Sequence, residues 1–244
     1  MRIAVVDTET TGTDPRVHQM WELGLVVVDA DDPARDPEPF WCQVAPDLSA
    51  ADPGALQVGR YFERAGTLRE DSARRRSGWS TAPHESALAG QAAHKLAGTR
   101  FASCNVSFDV PFVQRWLREQ GTVGAWHYSP IDIKSLCYGC HPELLGASTG
   151  DIALGMGVDV DQALAWFDLH EEGRHSAIAD AYIAACLLYE AMGWGRMYGS
   201  RCNDHYGGYR CEGSYGHAGR THRDRDTSWQ KDDAGNLLLG AAML

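Results

Sequence analysis

The hydrophobic pattern of this chain changes period as it runs. Residues 3–6, Ile-Ala-Val-Val, form a short unbroken apolar run of β-favouring side chains, the pattern of a buried strand. Residues 23–28 and 40–44 read the same way, and the acid- and proline-rich stretch 29–39 between them reads as a loop or hairpin connection. Three successive strands without an intervening helix predict an antiparallel meander. Helical spacing then takes over at 53–64 and again at 84–96, separated by a polar, arginine-rich loop at 66–83. A strand at 101–104 feeds a helix at about 109–120. Another strand at 127–133 leads into a helix through Leu136. The clearest helix is 176–192, rich in Ala and Leu. A strand meander followed by alternating helix and strand predicts a mixed α/β layer fold.

After Gly193 the periodicity dissolves into Gly, Tyr, Arg, His and Asp. We place a boundary there, giving a main domain over 1–194 and a Gly/Cys/His-rich tail over 195–244. Within the tail, Leu237-Leu238-Leu239 either packs back onto the body or stays frayed.

At 244 residues the chain suits one domain plus an appendage. Its hydrophobic content of 44% and charged content of 23% are those of a soluble globular protein. The longest apolar stretch, 181–189, is far shorter than the roughly 20 residues a membrane span needs. Met1-Arg2 runs straight into the first strand, so no signal peptide and a cytoplasmic setting, bacterial or phage-infected, are expected. In that compartment the seven cysteines read as thiols or metal ligands rather than disulfides.

A net charge of −11 argues against a nonspecific nucleic-acid coat, which needs Lys and Arg for phosphates. It leaves room for an enzyme that grips one strand end through bound cations. Arg60, Arg64, Arg69, Arg74, Arg75 and Arg76 stand against only Glu63, Glu70 and Asp71 in the same stretch. They read as a solvated face or as a backbone-contacting arm.

The candidate chemistry begins at Asp7-Thr8-Glu9-Thr10-Thr11-Gly12. Side chains two apart on a strand share a face, so Asp7 and Glu9 point the same way. Adjacent carboxylates repel, and burying them unpaired is costly. A hard divalent cation such as Mg²⁺ or Mn²⁺ removes that cost by taking oxygen ligands. Asp-x-Glu alone carries little in a chain with 33 acids; two distant segments add to it. Asn105-Val106-Ser107-Phe108-Asp109-Val110-Pro111-Phe112 puts Asp109 at a helix start, where an N-cap role is the alternative. His175-Ser176-Ala177-Ile178-Ala179-Asp180 puts an acid inside an Ala- and Leu-rich helix, an awkward place unless it has a partner or faces solvent. His175 alone could be a surface histidine flanking that helix.

Taken in order, Asp7-Thr8-Glu9, Asn105-x-x-Phe108-Asp109-x-x-Phe112 and His175-x4-Asp180 resemble the three motifs of the DnaQ-like (DEDDh) 3′→5′ exonucleases. That family includes proofreading subunits of replicative polymerases, RNase T and oligoribonuclease. Glu22-Leu23-Gly24 also looks like the family's wording on its second strand. The resemblance covers about residues 1–192. Ser176 stands where a sister group has Tyr, which indicates the histidine type.

The resemblance implies a ribonuclease-H-like fold, a mixed sheet of about five strands flanked by helices, with the first three antiparallel. It implies two Mg²⁺ or Mn²⁺ ions roughly 4 Å apart that clamp the attacking and leaving oxygens. By position, Asp7 would bridge both ions. Glu9 and Asp180 would complete the site for the attacking water, and Asp109 would hold the second ion. His175 would take the water's proton, a task suited to a group titrating near neutrality. Thr8 and neighbouring apolar side chains would meet the terminal nucleotide. Phe108 and Phe112 are candidates for stacking on bases, although core packing competes for both. The implied partners are single-stranded DNA or RNA 3′ ends and a DNA polymerase. The activity is removal of nucleoside monophosphates, from DNA first, with short RNA or a noncatalytic binding module as alternatives.

In the tail, Cys202-x8-Cys211-x5-His217-x4-His222 supplies four ligands suited to one tetrahedral Zn²⁺. Such an ion could organise a segment too poor in apolar residues to fold alone. Lacking the close cysteine pair of common fingers, the set competes with a disordered polar tail.

Overall fold

The computed structural model of the chain describes residues 1–65, 79–80, 82–166, 176–195, 197 and, further on, 205–206, 209–210, 221–224, 227–231 and 237–243. By compactness the chain divides into Met1–Trp194 and Gly195–Leu244.

The first unit is built on a sheet whose centre is β1 (Arg2–Thr10), β2 (Met20–Asp29) and β3 (Glu38–Val44). β1 pairs antiparallel with β2, and β2 with β3, giving the predicted meander. The two-residue strand β4 (Trp79–Ser80) adds parallel to β3 at one edge. β5 (Arg100–Ser103) and β6 (Ile131–Asp132) extend the other edge, both parallel. The order is therefore β4-β3-β2-β1-β5-β6, the expected mixed sheet of five strands with one short addition.

β1 and β2 reach well beyond their apolar cores. Polar Asp7 to Thr10 stay in the ladder because backbone pairing with β2 holds them there. The 127–133 strand shrinks to two residues, since Asp132 turns to cap a helix and accepts from the Ser135 amide.

Besides a helical turn at 61–65, seven helices flank the sheet among the described residues: α1 (Pro53–Val58), α2 (Ala82–Leu96), α3 (Val106–Glu119), α4 (Ile133–Cys140), α5 (Thr149–Gly155), α6 (Val160–Trp166) and α7 (Ala177–Met192). A 3₁₀ turn at Pro142–Leu144 follows α4. The short helices α5 and α6 carry too few turns for their period to stand out in the sequence.

Alternation along the strands divides the core between the two sheet faces. Ala4 and Val6 of β1, Leu23, Leu25 and Val27 of β2, and Cys42 and Val44 of β3 pack on Ala89, Ala92 and Leu96 of α2 and Phe112, Val113 and Trp116 of α3. The opposite face, with Asp7, Glu9, Glu22 and Gly24, receives α7. That helix is buried nearly all round, as its Ala- and Leu-rich sequence predicts. Ser176 caps it, accepting from the Ala179 amide, and Gly193 ends it at φ 66°. Tyr189 ties its far end down by donating to the Pro33 carbonyl at 2.9 Å.

The expected single helix over 53–64 is instead broken at Gly59-Arg60, where Arg60 takes φ 53°, and turns helical again over 61–65. A β-carbon on Gly59 would lie 2.8 Å from Glu9 Oε2, so the chain passes close beside the Glu9 carboxylate there. Five described cysteines, Cys42, Cys104, Cys137, Cys140 and Cys186, are free thiols.

The regular structure described in the second unit is mostly strand. Thr221–Asp224, Thr227–Lys231 and Leu237–Met243 form an antiparallel three-stranded sheet, and His205–Tyr206 pairs with Tyr209–Arg210. Leu237-Leu238-Leu239 is thus paired within its own unit, a ladder that backbone groups build without the apolar periodicity a sequence reading relies on. Cys202, Cys211 and His217 lie outside the described residues, and His222 stands on the Thr221–Asp224 strand.

Candidate metal centre

The acids singled out in the sequence converge at one end of β1. Asp7 and Glu9 project from the same face of that strand, as period-two alternation requires, and Asp180 comes down from the first turn of α7. One ligand oxygen from each of the three lies within 4.8 Å of the others.

Asp109 joins from the parallel half of the sheet. It lies in the first turn of α3, and Asn105 rather than Asp109 is the N-cap residue. Its carboxylate is 3% exposed and accepts from Thr8 Oγ1 at 2.7 Å. The Thr8 hydroxyl thus fixes an acid, a function that its implied nucleotide contact did not include.

The loop after β1 is knitted by its threonines. Thr10 donates to the Gly12 carbonyl, Thr11 Oγ1 accepts from the Gln19 amide, and the Asp52 amide reaches the Thr11 carbonyl at 2.7 Å. A β-carbon on Gly12 would meet the His18 ring at 2.4 Å. Each residue of Thr10-Thr11-Gly12 therefore has a local reason to be there.

Crowding shows in the electrostatics. Burial, then the charges of Asp109, Asp180, Glu9 and Glu22, hold the Asp7 carboxyl well above the usual carboxylate range. Burial and the Glu22 charge push Glu9 up to about 8 against the pull of Arg64. Burial lifts Asp109 to about 6, with the Thr8 hydrogen bond opposing it. Without a cation such a cluster resists full ionisation at neutral pH. An all-oxygen donor set of this kind suits a hard divalent ion. The residues fit: Asp7, Glu9 and Asp180 would hold one ion, with Asp109 available to a second.

Stability of the metal-free protein should therefore fall as pH rises. The Glu9 carboxyl moves from its ordinary 4.5 to about 8 on folding. Between those values the folded chain keeps a proton that the unfolded chain releases, so folding is favoured on the acid side and loses ground toward pH 8. Thermal unfolding in EDTA from about pH 5 to 8 should show a declining melting temperature, and saturating Mn²⁺ should flatten or reverse that trend. A melting temperature in EDTA that rises over the window would contradict a proton-sharing cluster.

Beside the ligands stands a second layer that the sequence reading left unassigned. Glu22, directly opposite Glu9 in the β1–β2 register, is fully buried. Arg64, 11% exposed, pairs with Glu22 and lies 3.9 Å from Glu9 Oε1. Its guanidinium also donates to the Gly59 carbonyl and lies over the Trp21 ring at 5.0 Å. Trp21 is the extra residue of a bulge, since Thr10 pairs with Met20 and Glu9 with Glu22. A glutamate inside an otherwise apolar strand was the available signal for this layer; Arg64 looked like one more member of an arginine-rich surface.

Phe112 is 1% exposed and packs in the core, which removes it as a base-stacking surface. Phe108 lies against it, ring centroids 4.9 Å apart, and is only partly buried. His175 lies outside the described residues. Among the described residues, no helix is long and apolar enough to cross a membrane.

No family model matches the chain, and no curated protein does. Solved structures do match its fold. E. coli exonuclease I in complex with a dT13 oligonucleotide aligns at 17% identity and a TM-score of 0.52, over 80% of this chain and 41% of the other. A zinc-bound E. coli ExoI–ssDNA complex aligns at 20% identity and 0.50, over 81% and 42%. A moderately thermophilic exonuclease I from Methylocaldum szegediense gives 19% and 0.50, over 81% and 42%. The chain thus spans less than half the length of these proteins. At such identity the likeness is one of fold: an α/β, ribonuclease-H-like sheet shared with exonuclease I.

Proposed function

We propose that this protein is a metal-dependent 3′→5′ exonuclease that removes nucleoside monophosphates from single-stranded ends, DNA in the first place. The observation that carries the reading is the convergence of Asp7, Glu9 and Asp180 oxygens within 4.8 Å. Asp109 and the exonuclease I-like sheet support it, and the oligonucleotide bound in E. coli exonuclease I favours DNA.

Bound Mg²⁺ or Mn²⁺ would supply Lewis acidity and stabilise charge on the attacking and leaving oxygens. The chain's own groups do the rest. Asp7, Glu9, Asp180 and Asp109 hold the cations. His175 accepts the proton of the attacking water, a role proposed from the resemblance of His175-x4-Asp180 to the third exonuclease motif. Phe108 offers a partly exposed ring to the terminal base. Val58 and Phe62, each 74% exposed, flank the Gly59 break beside Glu9 and present further apolar surface.

The test is incubation of purified protein with 5′-labelled single-stranded DNA and RNA, with Mn²⁺ or Mg²⁺ and with EDTA. A metal-dependent ladder shortening from the 3′ end of DNA is expected. Faster shortening of RNA would make the enzyme an exoribonuclease, and binding without cleavage would make it a noncatalytic module. His175→Ala should lower kcat at least about a hundredfold, within the range for general-base removal, while leaving KM and Mn²⁺ affinity near their starting values. A change confined to KM would remove the histidine from the proton transfer.

A further inference from the structure

Glu22 lies in the same acidic neighbourhood as the metal ligands, yet its surroundings differ from theirs. An ionised carboxylate has about four acceptor sites. All four of Glu22's are engaged by protein donors. Oε1 accepts from Trp41 Nε1 at 2.7 Å and Gln43 Nε2 at 3.0 Å. Oε2 accepts from the Arg64 guanidinium and from the Ala177 backbone amide at 3.1 Å. A carboxylate so filled has little capacity left for a metal ion.

Its four donors come from three places: two from β3, one from the helical turn after the Gly59 break, and one from the first residue of α7. The last is the telling one. Ala177 opens the helix whose first turn carries Asp180, and its amide is one of the donors that a helix start leaves without an intrahelical partner. A buried negative charge at that end also suits the helix dipole. Gly24, two residues along β2 on the same face, lets the backbone of Ala177 and Ile178 lie directly on the strand. Glu22 and Gly24 together fix where α7 begins. Arg64 reaches from Glu22 toward Glu9 and so links the anchoring acid to a ligand acid.

We propose that Glu22 is a positioning residue: with Arg64 it sets the separation of Asp180 from Asp7 and Glu9, and so the affinity of the site for its divalent ion, without binding the ion itself. The inference rests on the metal-centre reading above.

The test is Mn²⁺ binding to the whole protein, followed by electron paramagnetic resonance of the free ion, with melting temperature in EDTA measured alongside. Glu22→Gln keeps the shape but must aim an NH₂ group at one pair of donors. Mn²⁺ binding should weaken about tenfold or more, and turnover should recover substantially when Mn²⁺ is raised to saturation. Glu22→Asp keeps the charge and the pairing with Arg64 but draws the carboxylate back by one methylene; it should show the same shift in smaller measure. It also serves if Glu22→Gln does not fold. A lowered melting temperature with unchanged Mn²⁺ affinity in the folded variants would reduce Glu22 to a packing role and overturn the proposal. Loss of turnover that no Mn²⁺ concentration restores would overturn it too. If the unaltered protein binds no Mn²⁺, it is the metal-centre reading that fails.

Discussion

Asp7→Ala is expected to stop nucleotide release, by more than about a thousandfold, or roughly 4 kcal/mol of transition-state stabilisation. Asp7 shares the cluster with Glu9 and Asp180 and feels the charge of Asp109, so its loss weakens every ion the site could hold. The fold should survive. In the metal-free chain this half-buried carboxyl is crowded by like charges, and its removal relieves repulsion. Melting in EDTA should be unchanged or a little higher than for the unaltered protein, whereas the stabilisation conferred by Mn²⁺ should vanish. Retained cleavage in this variant would place the chemistry elsewhere. A collapse of the melting temperature in EDTA would mean that Asp7 is structural.

Gly24→Val should be the most damaging change to the fold near the site. Gly24 pairs with Asp7 across the ladder, and a β-carbon there would fall 2.3 Å from the Ala177 carbonyl carbon and oxygen and the Ile178 nitrogen. These are backbone atoms, so no side chain can swing away. Either α7 lifts from β2 or the strand bends. Forcing atoms into a packed interior costs about 3 kcal/mol at the upper end of the usual range. For a domain of this size that is a melting temperature lower by roughly 6–12 °C. Lifting α7 also carries Asp180 away from Asp7 and Glu9, and a shift on the order of 1 Å can cost a hundredfold in rate. Gly90→Ala is the matched control: nothing lies within 4 Å of its β-carbon position, and it sits inside α2, where alanine is the better helix former. Equal melting temperatures for Gly24→Val and Gly90→Ala would mean that α7 does not press on β2 at that point.

The meander and α7 could be read from the chain because their burial leaves a strong period. Val5 and Val6, both fully buried on β1, or Ala181 to Tyr189 around a buried helix, leave little alternative. Asp7, Glu9, Asp109 and Asp180 were legible for a different reason: acids in apolar surroundings need a partner, and their spacing matched a known family. What escaped was the support behind them. Glu22 looked like part of a motif without a role, and Arg64 like part of a polar surface. Their pairing joins residues 42 positions apart, which no local period encodes. The break at Gly59-Arg60 was missed because the apolar spacing of 53–64 continues through it. Phe112 shows the reverse case, an aromatic residue in the right motif whose ring the core has already claimed.

The ligands' order along the chain carries a further consequence. Asp7 and Glu9 belong to the first strand, Asp109 to a helix in the middle, and Asp180 to the last helix of the first unit. A polypeptide still emerging from the ribosome therefore cannot complete the cage until α7 has docked over Gly24. If the proposed reading holds, the nascent chain would be latent up to that moment.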